Sequence, residues 1–279
     1  MSVAPTRLGK CFAGARVTAD RMNPPETQGT TAAGSRTDAR SASTYSARLA
    51  ESSVDIEKAQ RLRFEVFNLE MDEGLRESYD TGLDQDAFDD VCDHLIVEDG
   101  VKGSVVGTYR LQTGTSAATH RGYYSEQEFK FTPYEQARDQ IIELGRACVH
   151  VDHRNFTVLS LLWKGIAAYA LEHSARYLIG CSSLTSQDPR DGASMFRQLS
   201  KSYLADLTWR TDPQPHYTCP LTEFADPPPR IPKLLAAYLS IGARICGAPA
   251  IDREFKTIDF LTIMDLQTLP PHVVQRYLS

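Results

Sequence analysis

The fold of this chain is decided by one stretch, Ile141-Ile142-Glu143-Leu144-Gly145-Arg146-Ala147-Cys148-Val149-His150. Apolar residues on both sides of an acid and an arginine indicate a buried strand that carries two charges in its middle. Burying a carboxylate and a guanidinium is costly unless each has a partner, so the pair predicts a structural or chemical site within the sheet. Glu143 and Arg146 are three positions apart, and a regular strand would direct them to opposite faces. A bulge at Gly145 is therefore expected, because it would bring both side chains to the same face.

The segments on both sides of this strand predict an α/β fold. Further strands are predicted at residues 94–97, 104–111, 177–184 and 257–266. Apolar residues recur at helical spacing over residues 53–69, 157–173, 189–204 and 233–246. The helix over 157–173 is apolar nearly all round, which indicates burial against a sheet. The order of these elements predicts a mixed central sheet flanked by helices.

The first 48 residues differ in composition from the rest of the chain. They are rich in Ser, Thr, Ala, Gly and Arg, and carry seven Lys or Arg against three acids. This composition predicts a disordered basic tail, with a transit peptide or a contact with anionic lipid as the alternative. Residues 49–279 form the predicted folded domain, with a core over 54–210 and a C-terminal extension over 211–279.

The charge of the folded part limits the partners that the chain is expected to bind. With the tail removed, the net charge is −10, so no nucleic acid is predicted as a partner. No stretch approaches the ~20 apolar residues of a membrane span, and the N-terminus lacks the apolar core of a secretory signal. The sequence therefore predicts a cytoplasmic protein, with peripheral contact on the inner face of a membrane as a further expectation.

A second group of charges lies between residues 72 and 93, in a segment rich in turns. Its aspartates repel one another unless cations or ligands neutralise them, so the segment is either a solvated face or a cation-binding rim. They are Asp84, Asp86, Asp89, Asp90 and Asp93. The segment lacks the central Gly and terminal Glu of a calcium loop, and the six cysteines lack metal-ligand spacing, so no metal is predicted. A nucleophilic Cys148 with His150 as its base is disfavoured, because two residues along one strand rarely have the required geometry.

Six separated motifs resemble one known family. They are Arg63-Phe64-Glu65-Val66-Phe67, Asp86-Ala87-Phe88-Asp89, Cys92-Asp93-His94-Leu95, Gly107-Thr108-Tyr109-Arg110-Leu111, Tyr123-Tyr124-Ser125-Glu126-Gln127-Glu128-Phe129 and Glu143-Leu144-Gly145-Arg146-Ala147-Cys148-Val149. Over residues 54–184 the chain is similar to the ornithine N-alpha-acyltransferases of ornithine-lipid synthesis, also called haemolysin-like acyltransferases. Residues 249–266 resemble the C-terminal part of that family. The same landmarks more distantly resemble acyl-homoserine-lactone synthases and long-chain N-acyl amino acid synthases.

The resemblance implies both a fold and a reaction. The fold is that of the Gcn5-related N-acetyltransferases. The reaction is transfer of a fatty, 3-hydroxy, acyl group to the α-amino group of L-ornithine, which gives lyso-ornithine lipid in the first step of ornithine lipid biosynthesis. Acylation of another amino acid such as glycine or serine, and synthesis of a lactone signal, are the alternatives within the same enzyme class. A non-catalytic, membrane-associated haemolysin-like protein is the alternative from another class.

The expected acyl donor follows from a departure from the acetyltransferase pattern. Members that use coenzyme A carry [QR]-x-x-G-x-[GA] at their pyrophosphate loop, and here the matching residues 154–159 contain no glycine. A poor pyrophosphate cradle fits a donor with a single phosphopantetheine phosphate, so acyl carrier protein is the expected partner and no other cofactor is predicted. His153 and Arg154 are candidates to bind that phosphate or the acidic carrier.

The implied reaction gives the charged residues candidate roles. Only a neutral amine attacks a thioester, and burial raises the pKa of a carboxyl group, so Glu143 is the candidate general base. A structural ion pair of Glu143 with Arg146 or Arg110 is the alternative. His94 is a second acid/base candidate or a structural histidine, which makes Glu143, Arg146 and His94 the catalytic candidates. Candidates for binding the acceptor carboxylate or side-chain ammonium are Arg63, Arg110, Asp86, Asp89 and Asp93.

Overall fold

The computed structural model describes residues 17–18 and 45–277, and its strands form one mixed sheet. The strands are β1 Val17–Thr18, β2 Tyr45–Leu49, β3 Asp93–Asp99, β4 Ser104–Thr113, β5 Ile141–Val149, β6 Tyr177–Leu184, β7 Arg244–Ile245, β8 Ala250–Asp252 and β9 Thr257–Asp265. Their order in the sheet is β1-β2-β3-β4-β5-β6-β9-β7, and β8 also pairs with β9. Neighbouring strands are antiparallel, except that β5 and β6 are parallel. The predicted mixed sheet is confirmed.

Helices cover both faces of this sheet. They are α1 Ser53–Phe64, continued by a π-helical segment Glu65–Glu70, α2 Ser78–Thr81, α3 Gly114–Thr119, α4 Phe156–Glu172, α5 Pro189–Leu199, α6 Lys233–Ser240 and α7 Pro271–Tyr277. The apolar helix α4 packs on β2, β3 and β4. Leu95 and Val97 of β3 belong to the same apolar cluster as its buried side chains. The intervening residue Ile96 faces the other way and packs with α1, because side chains alternate between the faces of a strand. The predicted α/β class is therefore confirmed.

Strand β2 shows that the folded region begins before residue 49. It pairs with β3 from Tyr45, opposite Asp99, to Leu49, opposite Leu95. Its Arg48 forms ion pairs of 2.8 Å with Asp55 and 2.9 Å with Glu98. The basic tail predicted over residues 1–48 therefore ends earlier than expected, and apart from residues 17–18 and 45–48 it lies outside the described residues.

The C-terminal part of the chain completes the sheet. Strand β9 pairs with β6 along eight successive residues, so the segment predicted as an extension over 211–279 supplies part of the central sheet. The helix predicted over 233–246 ends at Ser240, and Gly242 then adopts a φ of +117°. That conformation is open to glycine and breaks the helix, which allows β7 to join the sheet.

The parallel strands β5 and β6 diverge along their length. They pair at Ile141–Glu143 with Tyr177–Ile179, and the structure describes no pairing between them beyond Glu143. Gly180 lies at the point of separation, where an added Cβ would meet the carbonyl oxygen of Leu144 at 2.2 Å. The close approach there requires a glycine, and the gap beyond it is available to a ligand.

A β-bulge lies in β5, as the sequence predicted. Thr108 is opposite Cys148, but Arg110 is opposite Gly145, so β5 has one residue more than β4 in this interval. The residue in the left-handed region is Arg146, with a φ of +48°, and the prediction that Gly145 would form the bulge is wrong in this detail. A non-glycine residue in this region costs about 1–2 kcal/mol, so the contacts of the Arg146 side chain must hold it there.

Candidate active site

A cavity of about 900 Å³ opens between the diverging parts of β5 and β6. Part of its wall belongs to the apolar cluster under α4, with side chains from Leu159, Leu162, Trp163, Leu178, Tyr238 and Met264. Another part of its wall is charged, with side chains from Arg110, Glu128, Glu143, Arg146, Asp252 and Asp259. The cavity therefore brings a large apolar surface next to groups that can bind and ionise a polar substrate.

Three arginines and three aspartates form a closed ring beside the cavity. Each charge in the ring contacts two of the opposite sign, in the order Arg63, Asp89, Arg110, Asp86, Arg146 and Asp84. All six side chains are at most 15% exposed, and the ring has no net charge. Because every buried charge faces opposite charges, the ring can remain ionised away from water.

One half of the ring is centred on Arg63 of α1. Its guanidinium donates two hydrogen bonds to Asp89, of 3.0 Å and 2.7 Å, and its Nε lies 2.8 Å from the Asp84 carboxylate. Burial alone would raise the pKa of Asp89, but the Arg63 charge and its hydrogen bonds hold that pKa well below its usual range. Arg63 is fully buried and does not line the cavity. The prediction that Arg63 contacts the acceptor is therefore corrected, because both of its partners come from within the protein.

The other half of the ring faces the cavity through Arg110 and Arg146. Asp86 joins them, accepting hydrogen bonds of 2.5 Å from Arg110 and 2.8 Å from Arg146. The guanidinium of Arg146 also lies 4.8 Å from the centre of the Tyr124 ring and 4.4 Å from that of Phe255. These contacts hold Arg146 in its left-handed backbone conformation and place two cations in the cavity wall.

Glu143 lies at the point where β5 and β6 separate and is 5% exposed. Its carboxylate accepts hydrogen bonds from the N–H groups of Tyr124 (2.7 Å) and Ser125 (2.9 Å), and from the Ser125 hydroxyl. Burial raises the pKa of Glu143, and the bonds from Ser125 only partly oppose that rise. Among the described residues no arginine lies within ion-pair distance of Glu143, so the alternative of a direct pair with Arg146 or Arg110 is not realised.

Tyr124 connects the charged groups of the cavity. Its backbone binds Glu143, its ring contacts Arg110 and Arg146, and its hydroxyl donates a 3.3 Å hydrogen bond to Asp252. It belongs to a 3-10 turn, Tyr124–Gln127, in the connection between α3 and β5. The sequence analysis did not identify Tyr124 as a site residue, although it lies in one of the six motifs.

Three more carboxylates in the cavity wall were missed by the sequence interpretation. Oxygen atoms of Glu128, Asp252 and Asp259 lie within 4.8 Å of one another, and all three residues are buried. Burial raises the pKa of Glu128 well above its usual range, and that of Asp259 to about 6. Asp259 stands between Ile258 and Phe260 in β9, which is the same pattern of an acid in an apolar strand that drew attention to Glu143.

His94 and Asp93 lie away from the cavity. The Nε2 atom of His94 is 3.2 Å from the carbonyl oxygen of Asp89, and burial lowers the pKa of this histidine. The carboxylate of Asp93 accepts a 2.8 Å hydrogen bond from the hydroxyl of Tyr169 on α4. Neither residue lines the cavity, so the structure corrects their assignment as acid/base and acceptor-binding residues and places His94 as a support for Asp89.

Asp86 and Asp89 also have internal partners. Both carboxylates belong to the ring of ion pairs, and neither lines the cavity. Their predicted contact with a substrate ammonium is therefore corrected. They fix the orientation of Arg110 and Arg146 instead.

The two predicted donor-binding residues, His153 and Arg154, lie just before the start of α4. The Nδ1 atom of His153 is 2.8 Å from the Tyr45 hydroxyl. Arg154 lines the cavity and forms two 2.6 Å hydrogen bonds with Glu70. The side chain of Asn155 caps α4 by accepting a hydrogen bond from the N–H of Val158.

Burial raises the pKa of the Cys148 thiol, which argues against the alternative of a cysteine nucleophile.

This chain is similar to several known proteins. The family described as "Acetyltransferase (GNAT) domain" matches residues 62–164. The L-ornithine N(alpha)-acyltransferase of Agrobacterium fabrum is 31% identical over 249 residues, which are 84% of this chain and 85% of that protein. The enzyme of the same name from Brucella abortus is 32% identical over 82% of this chain and 87% of that protein. Among solved structures, the N-acyl amino acid synthase FeeM from uncultured soil microbes has a TM-score of 0.49 and 12% identity, covering 84% of this chain and 94% of that one.

The fold and the matched domain define an acyltransferase of the Gcn5-related N-acetyltransferase type. Acyltransferases of this type take an acyl donor and an amino acid acceptor rather than a tightly bound cofactor. The chain belongs to the L-ornithine N(alpha)-acyltransferase family. The non-catalytic alternative is therefore wrong. Full exposure of Glu143 and Arg110 would have favoured it, but they are only 5% and 4% exposed. Within the described part of the chain, no helix has the length and apolar character needed to cross a membrane.

Proposed function

We propose that this protein transfers a 3-hydroxy fatty acyl group from acyl carrier protein to the α-amino group of L-ornithine. The product is lyso-ornithine lipid, the first intermediate of ornithine lipid biosynthesis. The observation that carries the proposal is the cavity between β5 and β6, which joins an apolar wall to two arginines and a buried glutamate. The names of the relatives in Agrobacterium fabrum and Brucella abortus support ornithine as the acceptor.

Arg110 and Arg146 are the proposed binding residues for the acceptor carboxylate. They are the two members of the ion-pair ring that line the cavity, and Asp86 holds them side by side. Two guanidinium groups present several N–H donors in a fixed plane, which suits the two oxygens of an amino acid carboxylate. Binding the carboxylate there positions the neighbouring α-amine close to Glu143.

Glu143 is the proposed general base. It accepts a proton from the α-ammonium directly or through water, and the neutral amine then attacks the thioester carbonyl. The tetrahedral intermediate collapses as the carbon–sulfur bond breaks, and the thiol of phosphopantetheine leaves with a proton. A carboxylate has about four lone-pair sites, and three donors occupy sites on Glu143, so one remains for the incoming proton.

The apolar wall is the proposed site of the acyl chain. Leu159, Leu162 and Trp163 on α4 line it together with Tyr238 on α6, whose ring centre lies 5.7 Å from that of Trp163. The volume of about 900 Å³ is at the upper end of small-molecule sites. The product carries a long acyl chain and partitions into a bilayer, which supports peripheral contact of the protein with the inner face of a membrane.

The expected donor is acyl carrier protein rather than acyl-coenzyme A. Residues 154–159 lack the glycines that let backbone amides surround a pyrophosphate, and Arg154 lies at the cavity mouth near His153. Its pair with Glu70 is half-exposed, so a phosphate can replace Glu70 at little cost. We expect Arg154→Glu to lower kcat/KM for acyl carrier protein roughly 10-fold or more, while exposed Arg121→Glu has no such effect. Equal activity of the wild-type protein with acyl-coenzyme A would contradict the donor assignment.

The substitution Glu143→Gln tests the proposed base. It keeps the shape of the side chain but removes its ability to take a proton, so acyl transfer should fall roughly 100-fold or more. The measurement is the rate of acyl-ornithine formation by the purified variant, with circular dichroism and thermal unfolding as checks of the fold. Near wild-type activity of a folded Glu143→Gln protein would overturn the assignment.

A further inference from the structure

The side chains of Glu128, Asp252 and Asp259 form a buried acidic cluster in the cavity wall. Their oxygens lie within 4.8 Å of one another, and the three residues are 1%, 5% and 3% exposed. The described residues place no lysine, arginine or histidine within ion-pair distance of any of them. The cluster therefore differs from the nearby ring, in which every aspartate faces two arginines.

Two oxygen atoms of this cluster lack a hydrogen-bond partner. They are Glu128 Oε1 and Asp259 Oδ1, and both are buried within the described part of the chain. Asp252, in contrast, accepts from the backbone N–H groups of Glu254 and Phe255 and from Tyr124. A buried carboxylate oxygen without a donor is unfavourable unless a ligand supplies one. The two unpartnered oxygens thus indicate a cationic donor that arrives from the cavity.

Tyr124 contacts both the arginines and the acidic cluster. The ring of Tyr124 contacts the guanidinium of Arg146, and its hydroxyl donates to Asp252. Its backbone N–H binds Glu143. Tyr124 therefore links the arginines, the acidic cluster and Glu143, and all of these groups line the same cavity.

We propose that Glu128, Asp252 and Asp259 bind the side-chain ammonium of the acceptor amino acid while Arg110 and Arg146 hold its carboxylate. This inference rests on the proposed function and adds the basis of acceptor choice. It selects an acceptor with a second positive charge, and a neutral amino acid of the same length leaves the buried oxygens unpartnered.

The same arrangement accounts for acylation at the α-nitrogen. Three surrounding carboxylates favour the charged form of the bound side-chain ammonium, so that nitrogen keeps its proton and has no lone pair with which to attack. The α-ammonium lies beside a single proton acceptor, Glu143, and beside two cations, which favours its neutral form. The charge pattern therefore makes one of two chemically similar amines the nucleophile.

The test compares L-ornithine with L-norvaline, which has the same carbon chain but no side-chain amine. For Glu128→Gln and Asp259→Asn we expect KM for L-ornithine to rise roughly 30-fold or more, with kcat/KM for L-norvaline unchanged or increased. Glu172→Gln on the exposed end of α4 is the matched control and should behave as wild type. Equal losses with both acceptors would overturn the proposal.

A ligand-binding measurement separates this inference from the proposed reaction. L-Ornithine should raise the thermal unfolding temperature of the wild-type protein more than L-norvaline does, and Glu128→Gln should abolish the difference. That result would support the ammonium site even if the wild-type protein acylated neither compound, an outcome that would contradict the proposed function alone. Three carboxylates also suit a divalent cation. If Mg²⁺ or Ca²⁺ stabilises the EDTA-dialysed protein through Glu128 and L-ornithine does not, the proposal is overturned in favour of a metal site.

Discussion

At the scale of single residues, the site is built from buried charges whose partners determine what each one does. Arg63 has its partners within the protein, and Arg110 and Arg146 are held by Asp86 but also reach the cavity. Glu143 is held by donors without a formal charge. Groups with complete ion pairs are therefore fixed, and the less compensated carboxylates are available for chemistry.

Removing Arg63 should strongly destabilise the fold. Arg63→Met leaves Asp84 and Asp89 buried with one cation fewer, which is expected to lower the free energy of unfolding by about 3–5 kcal/mol. Arg61→Met, two positions earlier on the same helix, removes an exposed pair with Glu57 and should change it by less than about 0.5 kcal/mol. Urea denaturation of both variants measures the difference. Similar values for the two would show that the ring does not contribute as described.

The raised pKa of Asp259 should make stability depend on pH. Its pKa is about 6 in the folded protein, compared with ~3.9 in an unfolded chain. The folded state then retains a proton that the unfolded state has released, so the free energy of unfolding falls as pH rises from about 4 to about 6. The full effect of this one group is about 3 kcal/mol.

Asp259→Asn is expected to flatten this part of the pH profile, because an amide does not titrate. Urea denaturation at a series of pH values measures the slope. Glu172→Gln should keep the wild-type slope, since Glu172 is exposed. An unchanged slope in Asp259→Asn would mean that Asp259 is not protonated more readily in the folded state.

The sequence analysis identified three of the charges that interrupt apolar strands, but not Asp259 and not all of the partners of the three. Glu143, Arg146 and Arg110 were identified because an acid or a base in a buried strand requires an explanation. The roles of Arg63, Asp86 and Asp89 differed from expectation, because a sequence motif does not show whether a charged side chain contacts a ligand or another residue of the protein. Glu128 and Asp259 were missed because residues 131 positions apart become neighbours only through the pairing of β6 with β9.

At the scale of elements, the separation of β5 from β6 creates the cavity. The strands pair at three positions and part at Gly180, where a Cβ would meet the Leu144 carbonyl oxygen at 2.2 Å. At Gly145, on the strand opposite, a Cβ would meet no described atom within 4 Å. These two glycines provide a matched test of whether the close approach is required.

We expect Gly180→Ala to push the strands apart and to lower the free energy of unfolding by about 1–3 kcal/mol or more, because a backbone carbonyl has little room to move. KM for the acyl donor should rise with it, since the acyl chain is proposed to bind in the cavity that opens between these strands. Gly145→Ala should change the free energy of unfolding little. Urea denaturation and donor titration measure the two effects, and an equal loss of stability in the two variants would contradict this account.

Elements with strong periodicity were predicted well, and those that depend on distant partners were not. The helix expected over 157–173 is α4, Phe156–Glu172, because its apolar character is continuous. The helix expected over 233–246 ends at Ser240, since Gly242 and the pairing of β7 with β9 outweigh helical periodicity. Strand β2 was assigned to the tail because its pairing with β3 is invisible in a five-residue pattern.

At the scale of the whole molecule, the apolar and the charged parts of the cavity wall are formed by different elements. Its apolar wall lies between α4 and α6, Glu143 lies where the strands separate, and the arginines and the acidic cluster both contact Tyr124. An acyl chain and a charged diamino acid can thus approach the same point from different surroundings. This arrangement fits a reaction that joins a fatty acid to an amino acid.

The most direct test of the account is to identify the product. The purified protein is incubated with 3-hydroxyacyl carrier protein and an equimolar mixture of L-ornithine, L-lysine, L-norvaline, glycine and L-serine. Tandem mass spectrometry then identifies the acylated amino acid and the nitrogen that carries the chain. The account predicts ornithine acylated at the α-nitrogen as the main product. A main product of acylated glycine or serine, or of ornithine acylated at its side chain, would contradict it.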